Sequence, residues 1–254
     1  MKRLTFGNYA TVFAVVINAP CLAWAEDAVP STREPEVLSA LIEMIFEEED
    51  KLRSGVTWSG VVKATSGFAV LPAEAVDAPF LEILEECLDE VLLAMNTPEA
   101  IAERPRRINE LSGQFEDVIR VWLDTHPEVE CDFAPTMSGG AQRSGYPDLR
   151  VVYNPTGRVY YLDPKVYALS SRASTFRTFY FEPRQATGKI SEDAVHLLVG
   201  IAHEGEGREG WRFTQWNIVD LSGFRVRLKA EFQASNRDLY ESGYQVKEKR
   251  VVQD

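Results

Sequence analysis

The sequence lacks several features that would assign it to a common class of protein. No run of apolar residues reaches the ~20 residues that a membrane-spanning helix needs, and the 254 residues include only 3 histidines and 3 cysteines. The histidines do not show the HxxxH spacing of many zinc enzymes, and the GxSxG and P-loop patterns are absent. These absences remove support for a zinc enzyme, a serine hydrolase or a P-loop protein.

The amino terminus has the layout of a secretory signal peptide. A basic start at Met1–Arg3 precedes an apolar segment at Ala10–Ile17, Pro20 interrupts that segment, and the small residues of Ala23–Ala25 suit signal peptidase. We therefore predict that residues 1–25 are removed and that the mature protein is periplasmic or secreted, without a membrane segment. An N-terminal membrane anchor is the alternative for the same residues.

Removal of residues 1–25 would leave two cysteines, Cys87 and Cys131. In an oxidising compartment two cysteines favour a single disulfide, and the long loop that it closes would stabilise the fold by ~4 kcal/mol. We therefore predict a disulfide between Cys87 and Cys131, and two buried thiols are the alternative.

Acidic residues are concentrated in the front half of the chain. Residues 26–126 contain 8 Lys or Arg and 22 Asp or Glu, whereas residues 127–254 contain 17 of each. An acidic surface repels polyanions, so this distribution argues against nucleic-acid binding by the front half. Any nucleic acid would therefore be bound by residues 127–254.

Apolar residues at helical spacing predict helices in the front half. The clearest are Glu34–Arg53 and Glu74–Met95, and a third helix runs from about residue 107 to residue 125 after a short helix that starts at Thr97. Residues 54–72 contain three glycines and are predicted to form a loop with one strand. We expect residues 26–96 to form an acidic helical region.

Aromatic and β-branched segments predict strands in the back half. Five such segments follow residue 130, separated by Gly, Pro or Asn: DLRVVY, RVYYLD, RTFYFE, VHLLVGIA and WRFTQWNIVDL. The segment FRVRLKAEF is a sixth strand or the start of a final helix. Helices followed by a mainly antiparallel sheet predict an α+β fold.

The first two of these strands carry a group of charged residues. A turn at Asn154–Gly157 would return the chain so that Asp148 on the first strand approaches the second strand, where Asp163 and Lys165 share a face. Two carboxylates can hold Mg²⁺ or Mn²⁺, and a lysine can orient or deprotonate water and neutralise a phosphate. The hairpin therefore predicts a site for phosphodiester hydrolysis, and a solvent-facing hairpin with an Asp–Lys ion pair is the alternative.

The spacing of these residues resembles a known superfamily of nucleases. Pro147–Asp148, fourteen further residues and then Asp163–Lys165 resemble the motif of the PD-(D/E)xK nucleases, with a layout similar to type II restriction enzymes. The resemblance implies a central mixed β-sheet flanked by helices, with the motif on adjacent strands, and Mg²⁺-dependent cleavage of DNA. It assigns residues 97–254 to a restriction-endonuclease-like domain. Pro164 at the middle position departs from what a central strand usually tolerates.

Members of this superfamily often supply a further glutamate from the helix before the hairpin. In the helix that ends near residue 125, Glu116 flanks the apolar stripe and Glu110 lies further round. The segment SGQFE is also similar to the superfamily's helix patterns. We therefore expect Glu116, rather than Glu110, to join Asp148 and Asp163 as a catalytic residue and metal ligand, and a solvated helix carboxylate is the alternative.

Basic residues that follow the hairpin are candidates for phosphate contacts. Several arginines come shortly after it, and a second group alternates along the last strand segment. The candidates are Arg172, Arg177, Arg184, Arg225, Arg227 and Lys229. An ordinary charged face of the sheet is the alternative.

The predicted function is an exported, Mg²⁺- or Mn²⁺-dependent nuclease that acts on nucleic acid, most simply DNA, as a monomer or a homodimer. A non-enzymatic α+β protein that binds a partner through its helical part is the alternative. Convergence of Asp148, Asp163 and Lys165 in the folded chain would favour the nuclease.

Overall fold

A mixed β-sheet runs through the fold. The computed structural model describes residues 34–102, 108–175, 179–184, 187–207 and 210–229, together with 231, 233–235 and 237. Its strands are β1 (Val56–Thr57), β2 (Val70–Leu71), β3 (Val129–Phe133), β4 (Leu149–Tyr153), β5 (Arg158–Ala168), β6 (Ala194–Gly207), β7 (Gly210–Asp220) and β8 (Arg225–Val226). Six strands form the sheet, in the order β2-β6-β5-β4-β3, and β7 also pairs with β6. A separate two-stranded sheet joins β1 to β8.

The sheet contains both kinds of strand pairing. The pairs β3–β4, β4–β5 and β6–β7 are antiparallel, whereas β5–β6 and β2–β6 are parallel. A long connection between β5 and β6 allows their parallel arrangement, because parallel neighbours need a crossover. The mixed sheet agrees with the architecture that the resemblance implied.

Helices occupy the front half of the chain, as the periodicity predicted. They are α1 (Glu34–Arg53), α2 (Trp58–Ser66), α3 (Ala78–Met95), α4 (Pro98–Ala102) and α5 (Ile108–Thr125). The predicted helices are confirmed, with identical bounds for α1. Helix α2 was not predicted, because Gly60 lies within it and glycine disfavours helix interiors. The Thr57 side chain caps this helix by accepting a hydrogen bond from Gly60 N at 3.2 Å.

Apolar side chains cover both faces of the sheet. On one face, α3 and α5 pack against β3, β4 and β5 through a core that includes Leu84, Leu88, Phe115, Leu149 and Leu162. On the other face a smaller cluster surrounds Trp58, Tyr146, Tyr161, Ala194 and Leu221. The alternation along β4 and β5 sends successive side chains to opposite faces. The fold is therefore α+β, with helices flanking a mixed sheet, as predicted.

Helix α3 and the residue just before it, Asp77, pack against the sheet. The Phe80 ring of α3 stacks on Tyr160 of β5 with ring centroids 3.9 Å apart. Asp77 is fully buried and accepts hydrogen bonds from the Tyr160 hydroxyl at 2.6 Å and from Arg158 Nη2 at 3.0 Å. The chain divides into Met1–Glu48 and Glu49–Asp254. Helix α3 thus contributes to the core that covers the sheet, and the boundary predicted at residues 96–97 stays a prediction.

The two cysteines are free thiols. Cys87 on α3 and Cys131 on β3 are both buried in the core between the helices and the sheet. Burial raises the pKa of Cys131 to about 12 and raises that of Cys87 as well, so both stay protonated. The predicted disulfide is not formed, and the thiols pack as small apolar groups.

The predicted signal peptide, residues 1–25, lies outside the residues that the structure describes. Among the helices in the described ranges, none has both the length and the apolar content that crossing a bilayer requires.

One predicted strand takes an irregular course. Within the segment RTFYFE, the described residues 179–182 form no strand. Phe179 and Phe181 instead pack edge-to-face on Trp58, with ring centroids 5.1 and 4.8 Å apart. Aromatic residues often indicate a strand, but in this segment they belong to a loop and pack into the smaller apolar cluster.

Candidate active site

Two carboxylates meet where the pairing of β4 and β5 ends. The register pairs Leu149 with Leu162, and Asp148 N donates a hydrogen bond to Leu162 O at 3.2 Å. One step further along this register, Asp148 lies across from Asp163. The leucines point into the larger core, so strand alternation sends both carboxylates to the other face. The hairpin predicted from the sequence thus brings Asp148 and Asp163 together.

The side chain of Lys165 joins this pair. Its Nζ lies 2.8 Å from Asp163 Oδ2 and 3.5 Å from Asp148 Oδ2. The carboxylate side chains are 3% and 10% exposed, respectively, whereas that of Lys165 is 31% exposed. The lysine therefore covers two buried carboxylates and is the member of the group that solvent reaches best. The convergence expected of a nuclease site is present.

Burial and charge set the protonation of this group. Burial, followed by the negative charge of Asp163, raises the pKa of Asp148 to about 7. Burial by itself would lower the pKa of Lys165, but the charges of Asp163 and Asp148 outweigh it and raise that pKa. Lys165 is therefore an ammonium at neutral pH, and Asp148 is poised to exchange its proton for another cation.

The sheet tolerates Pro164 because β5 no longer pairs with β4 at this point. Pairing with β4 ends at Leu162, whereas pairing with β6 continues through Pro164 and Lys165, which lie opposite Val199 and Gly200. Proline removes a main-chain donor and is tolerated where one side of a strand has no partner. The departure from the usual motif therefore does not disturb the strand that carries Asp163 and Lys165.

Glu116 faces the same region from α5. Its side chain is 12% exposed, and its Oε2 lies 3.3 Å from Arg143 Nη2. Burial, followed by the charge of Asp148, raises the pKa of Glu116, so the two carboxylates are within electrostatic reach of each other. Glu110 is exposed. Of the two glutamates considered, Glu116 is thus the one that approaches the hairpin carboxylates.

Asp148 and Asp163 have the chemistry that suits a divalent cation. Both are buried, and Asp163 Oδ2 forms an ion pair with the Lys165 ammonium at 2.8 Å. Mg²⁺ is commonly held by one or two carboxylates and several waters, so this pair meets its requirements. No three His, Cys, Asp or Glu side chains in the described part of the chain are arranged to hold a metal. The Glu116 carboxylate contacts Arg143, and its role as a third ligand stays a prediction.

The predicted phosphate-contacting residues are dispersed. Arg172 is exposed just beyond β5, and Arg177 lies outside the described residues. Arg225 and Arg227 are exposed, but β8 extends only over Arg225–Val226 and pairs with β1 rather than with the central sheet. Arg225 donates a hydrogen bond to Gly55 O, and Lys229 forms an ion pair with Glu231. The predicted charged strand face is thus shorter than expected, and its role in binding DNA stays a prediction.

The sequence did not indicate Lys189, which is buried beside the hairpin. Lys189 is 1% exposed, and its Nζ donates hydrogen bonds to the carbonyl oxygens of Arg143 and Pro147. Burial lowers the pKa of Lys189, while the charges of Asp148, Glu116 and Asp163 act in the opposite direction. The segment TGKIS, which contains it, looks like an ordinary polar loop. Only the folded chain reveals that this lysine lies within reach of three carboxylates.

His196 is a core residue, as expected of a histidine within an apolar strand. It is fully buried on β6, where its Nδ1 lies 2.7 Å from the Tyr146 hydroxyl. Burial lowers the pKa of His196 to about 3, so the ring is neutral at physiological pH. A neutral, enclosed imidazole supports the smaller core and does not supply a proton to the site.

Comparisons with known proteins identify the family. The model of the type II restriction enzyme MjaV family matches residues 52–243. The chain is 28% identical over 228 residues to the type II restriction enzyme MjaV of Methanocaldococcus jannaschii, and the alignment covers 84% of this chain and 96% of that protein. No solved structure matches the chain significantly. Because the family match spans most of the chain, including α5 and the β4–β5 hairpin, this protein belongs to the type II restriction enzyme MjaV family.

Proposed function

We propose that this nuclease is a Mg²⁺-dependent DNA endonuclease whose site is of the PD-(D/E)xK type and consists of Asp148, Asp163 and Lys165. Membership in a restriction enzyme family favours an enzyme that acts on DNA over a non-enzymatic binding protein. The observation that carries the proposal is the Lys165 ammonium, which contacts both buried carboxylates at the end of the hairpin. A structural ion pair would need only one carboxylate.

Asp148 and Asp163 would hold the metal ion. When bound, Mg²⁺ lowers the pKa of a coordinated water and stabilises negative charge that develops on the phosphate. Burial, followed by repulsion from the nearby Asp163 carboxylate, raises the pKa of Asp148. A divalent cation relieves the repulsion, so the pair is suited to bind one.

Lys165 would act on the phosphate through its positive charge. The neighbouring carboxylates raise its pKa, so it keeps its proton at neutral pH and donates hydrogen bonds rather than accepting a proton. Its side chain is also the most exposed of the three, which lets it reach a substrate in solvent. We therefore assign it to orienting water and neutralising the phosphate during cleavage.

Glu116 would act beside this group rather than within it. Its carboxylate forms an ion pair with Arg143, and the charges of Asp148 and Lys165 act on its pKa in opposite directions. We propose that it accepts hydrogen bonds from waters around the metal ion, which requires proximity but no direct ligation.

Cleavage of DNA by the purified protein tests the proposal. Restriction enzymes act at particular sequences, so the substrate should be a mixture of supercoiled plasmid and unmethylated genomic DNA with Mg²⁺, Mn²⁺ or a chelator. We expect cleavage that requires the metal ion and is lost in Asp163→Asn. Wild-type protein that binds no divalent ion and cuts no DNA between about pH 6 and pH 9 would overturn the proposal.

Export is a separate proposal, supported by the basic, apolar and small-residue segments of residues 1–25. An exported nuclease would meet DNA outside the cytoplasm. Mass spectrometry of the native protein tests this, because removal of the signal leaves Glu26 as the first residue. An intact Met1 or Lys2 start in the soluble cytoplasmic fraction would refute export without affecting the nuclease assignment.

A further inference from the structure

Lys189 is a buried cation that bonds to main-chain oxygen atoms. Lys189 is 1% exposed, and its Nζ donates hydrogen bonds to Arg143 O at 3.1 Å and to Pro147 O at 3.0 Å. Burying an ammonium costs several kcal/mol unless it is paired or hydrogen-bonded. Lys189 therefore needs its two main-chain hydrogen bonds to offset the cost of burial, and these bonds fix the segment that carries the two carbonyl oxygens.

The segment that Lys189 bridges connects two of the site's carboxylates. At its first end, the Arg143 side chain contacts Glu116 at 3.3 Å and Asp117 at 3.0 Å on α5. At its other end, Pro147 immediately precedes Asp148. The ammonium of Lys189 thus holds the carbonyl oxygens at both ends of a segment that links Glu116 to Asp148.

The same ammonium also acts through its charge. Its positive charge opposes the rise in the pKa of Asp148, and the charges of Asp148, Glu116 and Asp163 oppose the fall in its own pKa. Lys189 is therefore within electrostatic reach of all three carboxylates. Unlike Lys165, it is enclosed and bonded to the main chain, so it is not available to the substrate.

We propose that Lys189 is a positioning residue, whose ammonium fixes segment 143–147 so that Asp148 and Glu116 face the same metal ion. The inference rests on the proposed function, because it assigns Lys189 a role toward the metal ion of that site. Lys189 contacts neither the DNA nor the ion, and it acts through Pro147 and Arg143.

The test compares Lys189→Met with Lys63→Met. Lys63 is a matched control, because its Nζ also donates to a main-chain carbonyl, Gly67 O at 2.6 Å, but at the exposed end of α2. Supporting groups around a metal site typically change metal affinity by about 10–100-fold. We expect Lys189→Met to weaken Mn²⁺ binding in calorimetry by at least about tenfold and to raise the half-saturating Mg²⁺ concentration for cleavage, whereas Lys63→Met changes neither.

The measurements are made at a temperature at which circular dichroism shows every variant folded. A purely structural role would lower the melting temperature of Lys189→Met while leaving the metal affinity of the folded protein unchanged, and this result would overturn the inference. Wild-type protein that neither binds Mn²⁺ nor cuts DNA would instead refute the proposed function itself. The two failures are therefore distinguishable.

Arg143→Met provides a decision if Lys189→Met does not fold. The Arg143 side chain is 50% exposed, so its loss is tolerated more easily, yet it removes the contact of segment 143–147 with Glu116. The inference predicts weaker Mn²⁺ binding in this variant as well, because segment 143–147 loses its contact with α5. Arg143→Met with wild-type Mn²⁺ affinity would overturn the inference.

Discussion

The Nζ atom of Lys165 lies 2.8 Å from Asp163 Oδ2, two residues away on the same face of β5. This contact can be an ion pair that stabilises the hairpin, or it can be part of a site in which a metal ion shares the carboxylate. The two roles predict different responses to substitution, because a metal ion and an ammonium compete for the same oxygen atoms.

Lys165→Ala and Asp163→Asn should change metal binding in opposite directions. Removing the ammonium should leave Mn²⁺ affinity unchanged or improve it, because a positive charge beside the metal ion is lost, yet DNA cleavage should fall by at least about 100-fold. Asp163→Asn keeps the side chain's size but removes a charged ligand, so it should weaken both binding and cleavage. Calorimetry and a plasmid nicking assay check these outcomes. Equal effects of both variants on metal affinity would contradict the assignment of roles.

Glu116→Gln and Glu110→Gln form a matched pair on the same helix. Glu116 is largely buried beside the hairpin, whereas Glu110 is exposed. We expect Glu116→Gln to reduce the cleavage rate by about 10–100-fold while both proteins keep wild-type stability, and Glu110→Gln to cleave DNA like the wild type. Initial rates at saturating Mg²⁺ provide the measurement. A greater loss in Glu110→Gln would show that the other glutamate serves the site.

Local pattern allowed the hairpin to be predicted before the fold was known. Asp148 immediately precedes β4, and Asp163 and Lys165 lie on β5 after a four-residue turn, so alternation and one turn suffice to place them. Lys189 could not be predicted, because its relation to Asp148 depends on a loop between β5 and β6 that has no periodic pattern. The predicted disulfide between Cys87 and Cys131 relied on the compartment and not on a structural signal.

Asp77→Ala should destabilise the protein without acting on the site. Asp77 is fully buried and binds Tyr160 and Arg158, so its removal leaves the Tyr160 hydroxyl and the partly buried Arg158 without this acceptor, at a cost of about 1–3 kcal/mol. Urea unfolding measures this loss, and Mn²⁺ affinity of the folded variant should remain at the wild-type value. Asp50→Ala is the control, because its exposed pair with Arg53 contributes about 0–1 kcal/mol. An Asp77→Ala variant as stable as the wild type would argue that residues 49–96 do not help to hold the sheet.

Asp148→Asn should remove a loss of folding stability that the metal-free protein shows as the pH rises. Burial and the charge of Asp163 raise the pKa of Asp148 from 3.8 to about 7 in the folded state. Between these values the folded chain binds more protons than the unfolded chain, so the free energy of unfolding falls as the pH rises from about 4 to about 7. Above that window the wild-type protein carries a buried, repelled carboxylate that asparagine would replace with a neutral group.

In a chelator, we therefore expect Asp148→Asn to exceed the wild type by about 1–3 kcal/mol in unfolding free energy at about pH 8 and to differ little at about pH 4.5. Urea unfolding at both pH values measures the difference, with Asp50→Asn as an exposed control. Saturating Mg²⁺ should stabilise the wild type, because an ion that binds only the folded state shifts the equilibrium toward it, and should stabilise Asp148→Asn much less. A variant less stable than the wild type at pH 8 in chelator would show that the Asp148 carboxylate supports the fold, as in a structural ion pair.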